Sequence, residues 1–480
     1  MPKLLTIVMW SCLFVAAMLI ATPIVSAAKD YEFPLEEWFK VKSKIDDPTP
    51  WMPSNLNWVN RYPKEFVAKF LCDPQEAGRL MEQALGFKTP DVVGKIAPEI
   101  KPGKYTWQDK EKYPGFKELM SEDVYKRFAP PGPPHVGNFP EIEIIPSRQV
   151  YWSPGVSNAT IQYSDQVTTD AQGYIDTFSW KGGMPFPKLQ GPNRGLQAML
   201  NFERVPRDGD QCWGYISLQG YNKNLQQDWD SIIEWWTLIS QGRTQIEPCG
   251  WYDARAKEQG ERKLAQDTWW APRDSFSNMI FWTWYTDISK DNLIIGYFNS
   301  LRRARRLSGG DSQDPVAGTD SIMDDYAGFA QKLSPEIYPY EYKVIAEREY
   351  LFPAYDTDGG FYMSSDGAYR NFKFERRPII VVEMTSLDKN YVYGKRKIYV
   401  DRETFLIHSV ESYDQKMRLY RTQDVSYYWW PESGNISLSL LHMRDHLDLH
   451  STFCPFYDNP VAYWIDRRPF SLREILKGVK

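Results

Sequence analysis

The last third of the chain is punctuated too often for helices to fit between its apolar runs. Residues 342–352, 378–387, 396–400, 405–412, 416–428 and 436–450 are rich in β-branched and aromatic side chains, and turn chemistry such as Asp401-Arg402-Glu403 and Tyr413-Asp414-Gln415 separates them. Connections this short exclude crossover helices, so successive strands must be antiparallel neighbours. The expected product is a meander. Within it, 379–382 is continuously apolar, as in a strand covered on both faces, whereas 396–410 roughly alternates, as in a strand with one wet face.

The rest is less regular. Ala77, Leu80, Met81 and Leu85 follow helical spacing between an Asp73-Pro74 start and a Gly86 stop. The proline-rich stretch 129–140 lacks the amide donors that a helix or sheet interior needs, and marks a boundary. It separates an irregular, partly helical extension (29–150) that packs on or wraps around a larger body (151–480). Gly182, Gly183, Met184, Pro185, Phe186 and Pro187 read as a rigid turn feeding a helix of about three turns, with Asn193 as cap and Leu196, Met199, Leu200 and Glu203 on helical spacing. Residues 229–240 fit either period; their Ile, Trp and Thr content leans to strand. The first half shows no regular strand repeat.

Residues 1–28 read as a secretory signal peptide: Lys3, an apolar run from Leu4 to Ile20, Pro23, and the small-residue site Val25-Ser26-Ala27. Cleavage after Ala27 or Ala28 would release a soluble periplasmic chain, and no Cys follows the site to take a lipid. Cys72, Cys212, Cys249 and Cys454 are too widely spaced for zinc and leave every disulfide pairing, or none, open. The net charge of −5 gives no attraction to nucleic acid or to anionic membrane surfaces. At 15% the aromatic share is about twice the usual, which favours strands and lined pockets.

The sequence has no nucleophile elbow, zinc-protease motif, phosphate loop or dinucleotide fingerprint, so it reads as a protein without catalytic chemistry or cofactor. His442, His446 and His450 recur every fourth residue, but a strand would set the outer pair about 27 Å apart, too far for a metal. Arg302, Arg303, Arg305 and Arg306 precede Asp311, Asp314, Pro315, Asp320, Asp324 and Asp325 across a Gly-rich loop. That pattern reads first as a structural network in which Arg forks pair with carboxylates and pin the loop, and second as a docking patch for an anionic headgroup or partner, with calcium a remote third. Asp356, Asp358, Glu375 and Glu383 are the candidates for an alternative reading, a carbohydrate-active hydrolase using paired acids.

Gly182–Pro187 with its helix, the Arg302–Phe329 segment, Tyr342–Tyr350, Val381-Val382-Glu383 and Lys395–Asp401 through Tyr413-Asp414 to Arg421 together resemble the domain of unknown function numbered 1329, a family grouped with outer-membrane lipoprotein-sorting proteins. The resemblance spans about 160–452. Gln415-Lys416 departs from it, standing where members tend to have Gly. It implies a curved antiparallel half-barrel similar to LolA and LolB, mainly β, with helices over its concave face. It also implies partners: a hydrophobic guest, an inner-membrane exporter of the resistance-nodulation-division type, and an outer-membrane acceptor. Physics is consistent with a carrier, since sixteen methylenes resist the aqueous periplasm by about 12 kcal/mol. Met184, Phe186, Met199, Trp236, Trp282 and Trp284, with the four arginines, are the expected ligand or docking residues. Gly182, Gly183, Pro185, Pro187, Asp314, Pro315, Asp320, Asp324 and Asp325 are the expected structural loops. Cargo, transport direction and oligomeric state are not written in the sequence.

Overall fold

The computed structural model describes residues 58–133, 137–307, 313–357, 359–471 and 473. The expected signal peptide, and Asp311 and Asp358, lie outside them.

Among the described residues nineteen strands run in chain order as β1 (Gly103–Thr106), β2 (Glu141–Ile144), β3 (Gln211–Tyr221), β4 (Gln227–Ile239), β5 (Gln241–Arg243), β6 (Gly250–Trp251), β7 (Glu261–Ala271), β8 (Met279–Tyr285), β9 (Leu293–Phe298), β10 (Arg303–Leu307), β11 (Tyr340–Pro353), β12 (Tyr362–Met363), β13 (Tyr369–Arg370), β14 (Lys373–Ser386), β15 (Lys395–Asp401), β16 (Ile407–Tyr413), β17 (Leu419–Trp430), β18 (Asn435–Asp445) and β19 (His450–Asn459). Fifteen form one open, curved sheet. The meander expected at the C-terminus is present as β11-β14-β15-β16-β17-β18-β19, and 229–240 is strand, within β4.

Two expectations need correction. The run 436–450 is not one strand: it turns at 446–449, where Leu449 takes φ 55°, and continues as β19. The stretch 211–307, read as strand only at 229–240, carries a second meander, β3-β4-β7-β8-β9-β10, of which β3 and β4 lie in the first half. β3 is buried along its whole length and β4 and β7 along most of theirs, so the two faces of these strands do not divide cleanly into apolar and polar. The two meanders are sewn together by β19 and β3, with Phe456 opposite Ile216.

This order has a topological consequence. β10 and β11 follow one another in the chain but stand at opposite edges of the sheet, so residues 313–339 must travel back across it. They cross one face, called inner here, as a strap whose Met323, Ala327, Phe329 and Leu333 pack into the same core as Ile216, Ile380 and Ile398.

Helices roof the rest of the inner face. The helix Pro74–Leu85 starts where Asp73 accepts the amide of Gln75 at 2.9 Å and stops at Gly86, φ 85°. The helix Arg194–Arg204 lies against β11 and β14, so close that a Cβ on Gly195 would meet Tyr342 Cβ at 3.3 Å. Asn193 occupies its cap position, but the side chain donates to Gln172 O instead of capping.

The outer face is covered by other parts of the N-terminal extension. Trp58, Phe116, Leu119, Phe128 and Phe139 pack with Phe352, Tyr399, Trp430 and Phe453. β2 also joins β14 in parallel, Glu143 opposite Lys373, so the extension belongs to the sheet. Ile379 and Val381 therefore face outward and Ile380 and Val382 inward, all four buried, as the continuous run 379–382 predicts. The expected wet face of 396–410 is absent. Most polar residues of β15 and β16 are buried, Lys395 and Lys397 only partly, and Glu411, 3% exposed, accepts hydrogen bonds from Tyr399 and Tyr413.

Candidate functional site: an apolar cavity under the strap

Period-two alternation decides what faces the strap. β3 offers Ile216 and Leu218; β4 offers Ile233, Trp235 and Thr237; β7 offers Lys263, Ala265, Asp267 and Trp269; β8 offers Trp282 and Trp284. Above them the strap supplies Val316, Ile322, Met323 and Tyr326, and Leu441, Cys454 and Phe456 close the far side. The result is a mainly apolar cavity of about 110 Å³. An engineered cavity of roughly 150 Å³ holds benzene, so this space admits a ring or a short length of alkyl chain before anything moves.

Its floor is rigid. Trp282 and Trp284 stack with centroids 5.4 Å apart and planes within 3°. Trp282 Nε1 donates to Asp267 Oδ2 at 3.3 Å. Burial pushes the Asp267 carboxyl up to about 7, against the smaller opposing pulls of Trp282 and Lys263, so it is largely neutral in weakly acidic solution.

Its lid is latched by the aspartates of the strap. Asp320 holds β19 through its amide to Thr452 Oγ1 at 2.9 Å and through its carboxylate to His450 Nδ1 at 2.7 Å. Asp324 accepts from Tyr391 at 2.8 Å, and Asp325 from Tyr393 at 2.8 Å and from Arg396 Nη2 at 3.4 Å. The aspartates thus pin the segment to the sheet, with Arg396 and not the arginines at 302–306 as the cation. Arg396 comes from β15, whereas Arg303, Arg305 and Arg306 stand exposed on the edge strand β10, and Arg302 in the turn before it, φ 49°. Asp314 and Pro315 are also exposed; Pro315 bridges to Ile322 at the start of the strap.

Of the residues expected at a ligand, Trp282 and Trp284 line the cavity. Met184 and Met199 are fully buried in the helical roof. Phe186 is held beside them, its amide donating to Asn201 Oδ1 at 2.9 Å and its carbonyl accepting from Asn201 Nδ2 at 2.7 Å. Trp236 packs on the outer face, because it neighbours Trp235 on a strand. Gly182 and Gly183 both take positive φ, and a Cβ on Gly183 would collide with the Thr160 amide at 2.5 Å; Pro185 and Pro187 complete that turn. Of the residues that sequence reasoning missed, Met323 and Tyr326 on the strap carried no strand periodicity, while Ile233, Trp235 and Trp269 had a signal in the period-two facing of 227–239 and 261–271. It could not be read without knowing which face the strap covers.

Two of the alternative acids are engaged separately. Glu375 is fully buried against Arg148, and Glu383 pairs with Lys395 at 3.3 Å. The three histidines also part company: His442 bonds Tyr369, His446 bonds Thr422, and His450 holds the strap. Among the described residues no cluster of three or more His, Cys, Asp or Glu could hold a metal, all four cysteines are free, and no helix is long and apolar enough to cross a membrane.

Fold and site together define a mainly β protein in which one open sheet is roofed by helices and by a strap over an apolar cavity. The chain belongs to the DUF1329 family, described as a protein of unknown function, whose profile matches residues 124–457. Among solved structures it is similar to an outer membrane lipoprotein-sorting protein domain from Vibrio parahaemolyticus (15% identity, 59% of this chain and 99% of that one, TM-score 0.41) and to a DUF1329 protein from Desulfovibrio piger (12%, 58% and 97%, 0.42). A LolA superfamily protein from Nitrosomonas europaea is also similar (12%, 55% and 91%, 0.33). No curated protein matches.

Proposed function

We propose that this chain is a non-catalytic periplasmic carrier that shelters a hydrophobic molecule between an inner-membrane exporter of the resistance-nodulation-division type and an outer-membrane acceptor. The observation that carries the reading is the cavity: apolar side chains from β3, β4, β7 and β8 face an unfilled space, and its cover is a loop segment instead of a sheet. The periplasmic site of action rests on the signal-peptide reading of residues 1–28, and the exporter and acceptor rest on the family resemblance.

Purification of the chain from its native periplasm, followed by solvent extraction and mass spectrometry, tests this. A stoichiometric apolar compound is expected. A protein that carries nothing and takes up no apolar fluorescent probe would overturn the reading.

A further inference from the structure

The wall of the apolar cavity at Lys263, Trp284, Tyr326 and Ala330 is shared with a second, polar space of about 60 Å³. That space gathers Arg204, Arg207, Arg262 and Lys263 around only Glu203 and Asp208. Arg262 Nη2 donates to Glu203 Oε1 at 2.9 Å, and Lys263 Nζ to Asp208 Oδ2 at 3.1 Å. Arg204, 6% exposed, reaches Glu203 Oε2 at 3.1 Å and lies over the Trp180 ring. Glu203 is thereby spoken for, whereas Asp208 engages Oδ2 and keeps Oδ1 buried without a hydrogen-bond donor.

Arg207 is left over. Its ion pair with Asp208 spans 3.9 Å, too long for a hydrogen bond, and its guanidinium sits over Phe202 at 4.9 Å and Tyr326 at 5.8 Å. Donors are orphaned throughout the pocket: Arg204 Nε, Arg207 Nε, Arg262 Nε and the Tyr326 hydroxyl are buried without a hydrogen-bond partner. Buried donors without acceptors, in a cluster with a surplus of positive charge, call for an anion. Crowding shows in the guanidinium of Arg262, which is lowered to about 10 by burial first, then by Arg204 and Arg207, against the pull of Glu203.

We propose that the guest is an anionic amphiphile, with its chain in the cavity over Trp282 and Trp284 and its carboxylate or phosphate head against Arg207 and the Tyr326 hydroxyl. This deepens the carrier reading and rests on it. Tyr326, projecting from the strap, stands at the junction of chain and head, so the strap contributes to both halves of the site. Three probes separate chain from head: decanoate and 1-decanol share an alkyl chain and differ in head charge, and inorganic phosphate is the head alone.

Isothermal titration of the protein with the three probes tests the inference. Decanoate is expected to bind at least about tenfold more tightly than 1-decanol, and phosphate only weakly. Arg207→Gln should bring decanoate down to the level of 1-decanol, and Arg207→Lys should keep most of the preference. Equal affinity of decanoate and 1-decanol on the unmutated protein would overturn the anionic head while leaving a neutral-guest carrier intact. Phosphate binding as tightly as decanoate would make this a free-anion site and overturn the proposal likewise. Failure of both alkyl probes to bind would sink the carrier reading itself.

Discussion

Arg127 donates from Nη2 to Asp424 Oδ1 at 2.7 Å although 297 residues separate them in the chain. Arg444 Nη1 reaches the other oxygen of the same carboxylate at 2.8 Å, and Asp123 closes the ring by accepting from Arg127 Nε at 2.8 Å and from Arg444 Nη2 at 3.2 Å. Two acids and two arginines, all nearly buried, thus fasten the N-terminal extension to β17 and β18 on the outer face. Removing one partner strands a buried charge, and Asp424→Ala should cost about 3–5 kcal/mol in equilibrium denaturation. A loss below about 1 kcal/mol would show that the extension is held by its apolar contacts alone.

Filling the cavity should abolish guest binding with little harm to the fold. Ala265 projects from β7 into the space, and Ala265→Trp places an indole where a chain would lie. Overpacking costs about 1–3 kcal/mol. Binding of an apolar fluorescent probe should fall by about tenfold or more while the β-sheet circular dichroism persists; undiminished binding would place the guest elsewhere.

Acid should weaken the protein through Asp401. Burial opposes its ionisation, but Arg377 Nε at 2.7 Å and His408 beside it more than offset this and hold the carboxyl well below the usual range. A carboxyl depressed in the folded state stabilises it fully above the unfolded value, about 3.9, and that contribution drains away as pH falls from there toward the folded value. Denaturation midpoints at pH 7, 5 and 3 should therefore drop mainly in the last interval, and Asp401→Asn should flatten that drop.

The strap latch should respond in the opposite sense. Burial lowers the His450 imidazole, but its bonds to Asp320 and Asp228 outweigh this and raise it above its ordinary value. A raised base stabilises fully below the unfolded value, about 6.5, and loses its contribution as pH rises through the folded one. Hydrogen exchange of residues 316–326, corrected for intrinsic rate, should be faster at pH 8.5 than at pH 6, and His450→Gln should remove the difference. Equal protection at both pH values in the unmutated protein would separate the latch from histidine charge.

The C-terminal meander was legible because its turns are short and its residues β-prone, and both properties act within a few residues. The helix at 74–85 was legible for the same reason: Asp73, Pro74 and Gly86 settle its ends locally. The cavity was legible only as an expectation, and of the six apolar or aromatic residues expected in it, Trp282 and Trp284 line it. Trp236 shows why. Aromatic identity survives in the sequence, but facing depends on register, and a shift of one residue along β4 exchanges Trp236 for Trp235.

Partner choice was hidden for a related reason. Arg302, Arg303, Arg305 and Arg306 stand next to the strap aspartates in the chain, yet Arg396 from β15 serves Asp325 in space. The sequence by itself determined that antiparallel strands would dominate and where the local turns and helix ends fall, because backbone sterics, hydrogen-bond donors and caps are properties of neighbouring residues. Only the tertiary structure decided that β19 would join β3, which sends the strap across the inner face and encloses the cavity. That pairing joins the edges of two meanders whose partner residues lie more than 200 positions apart, so no local pattern encodes it.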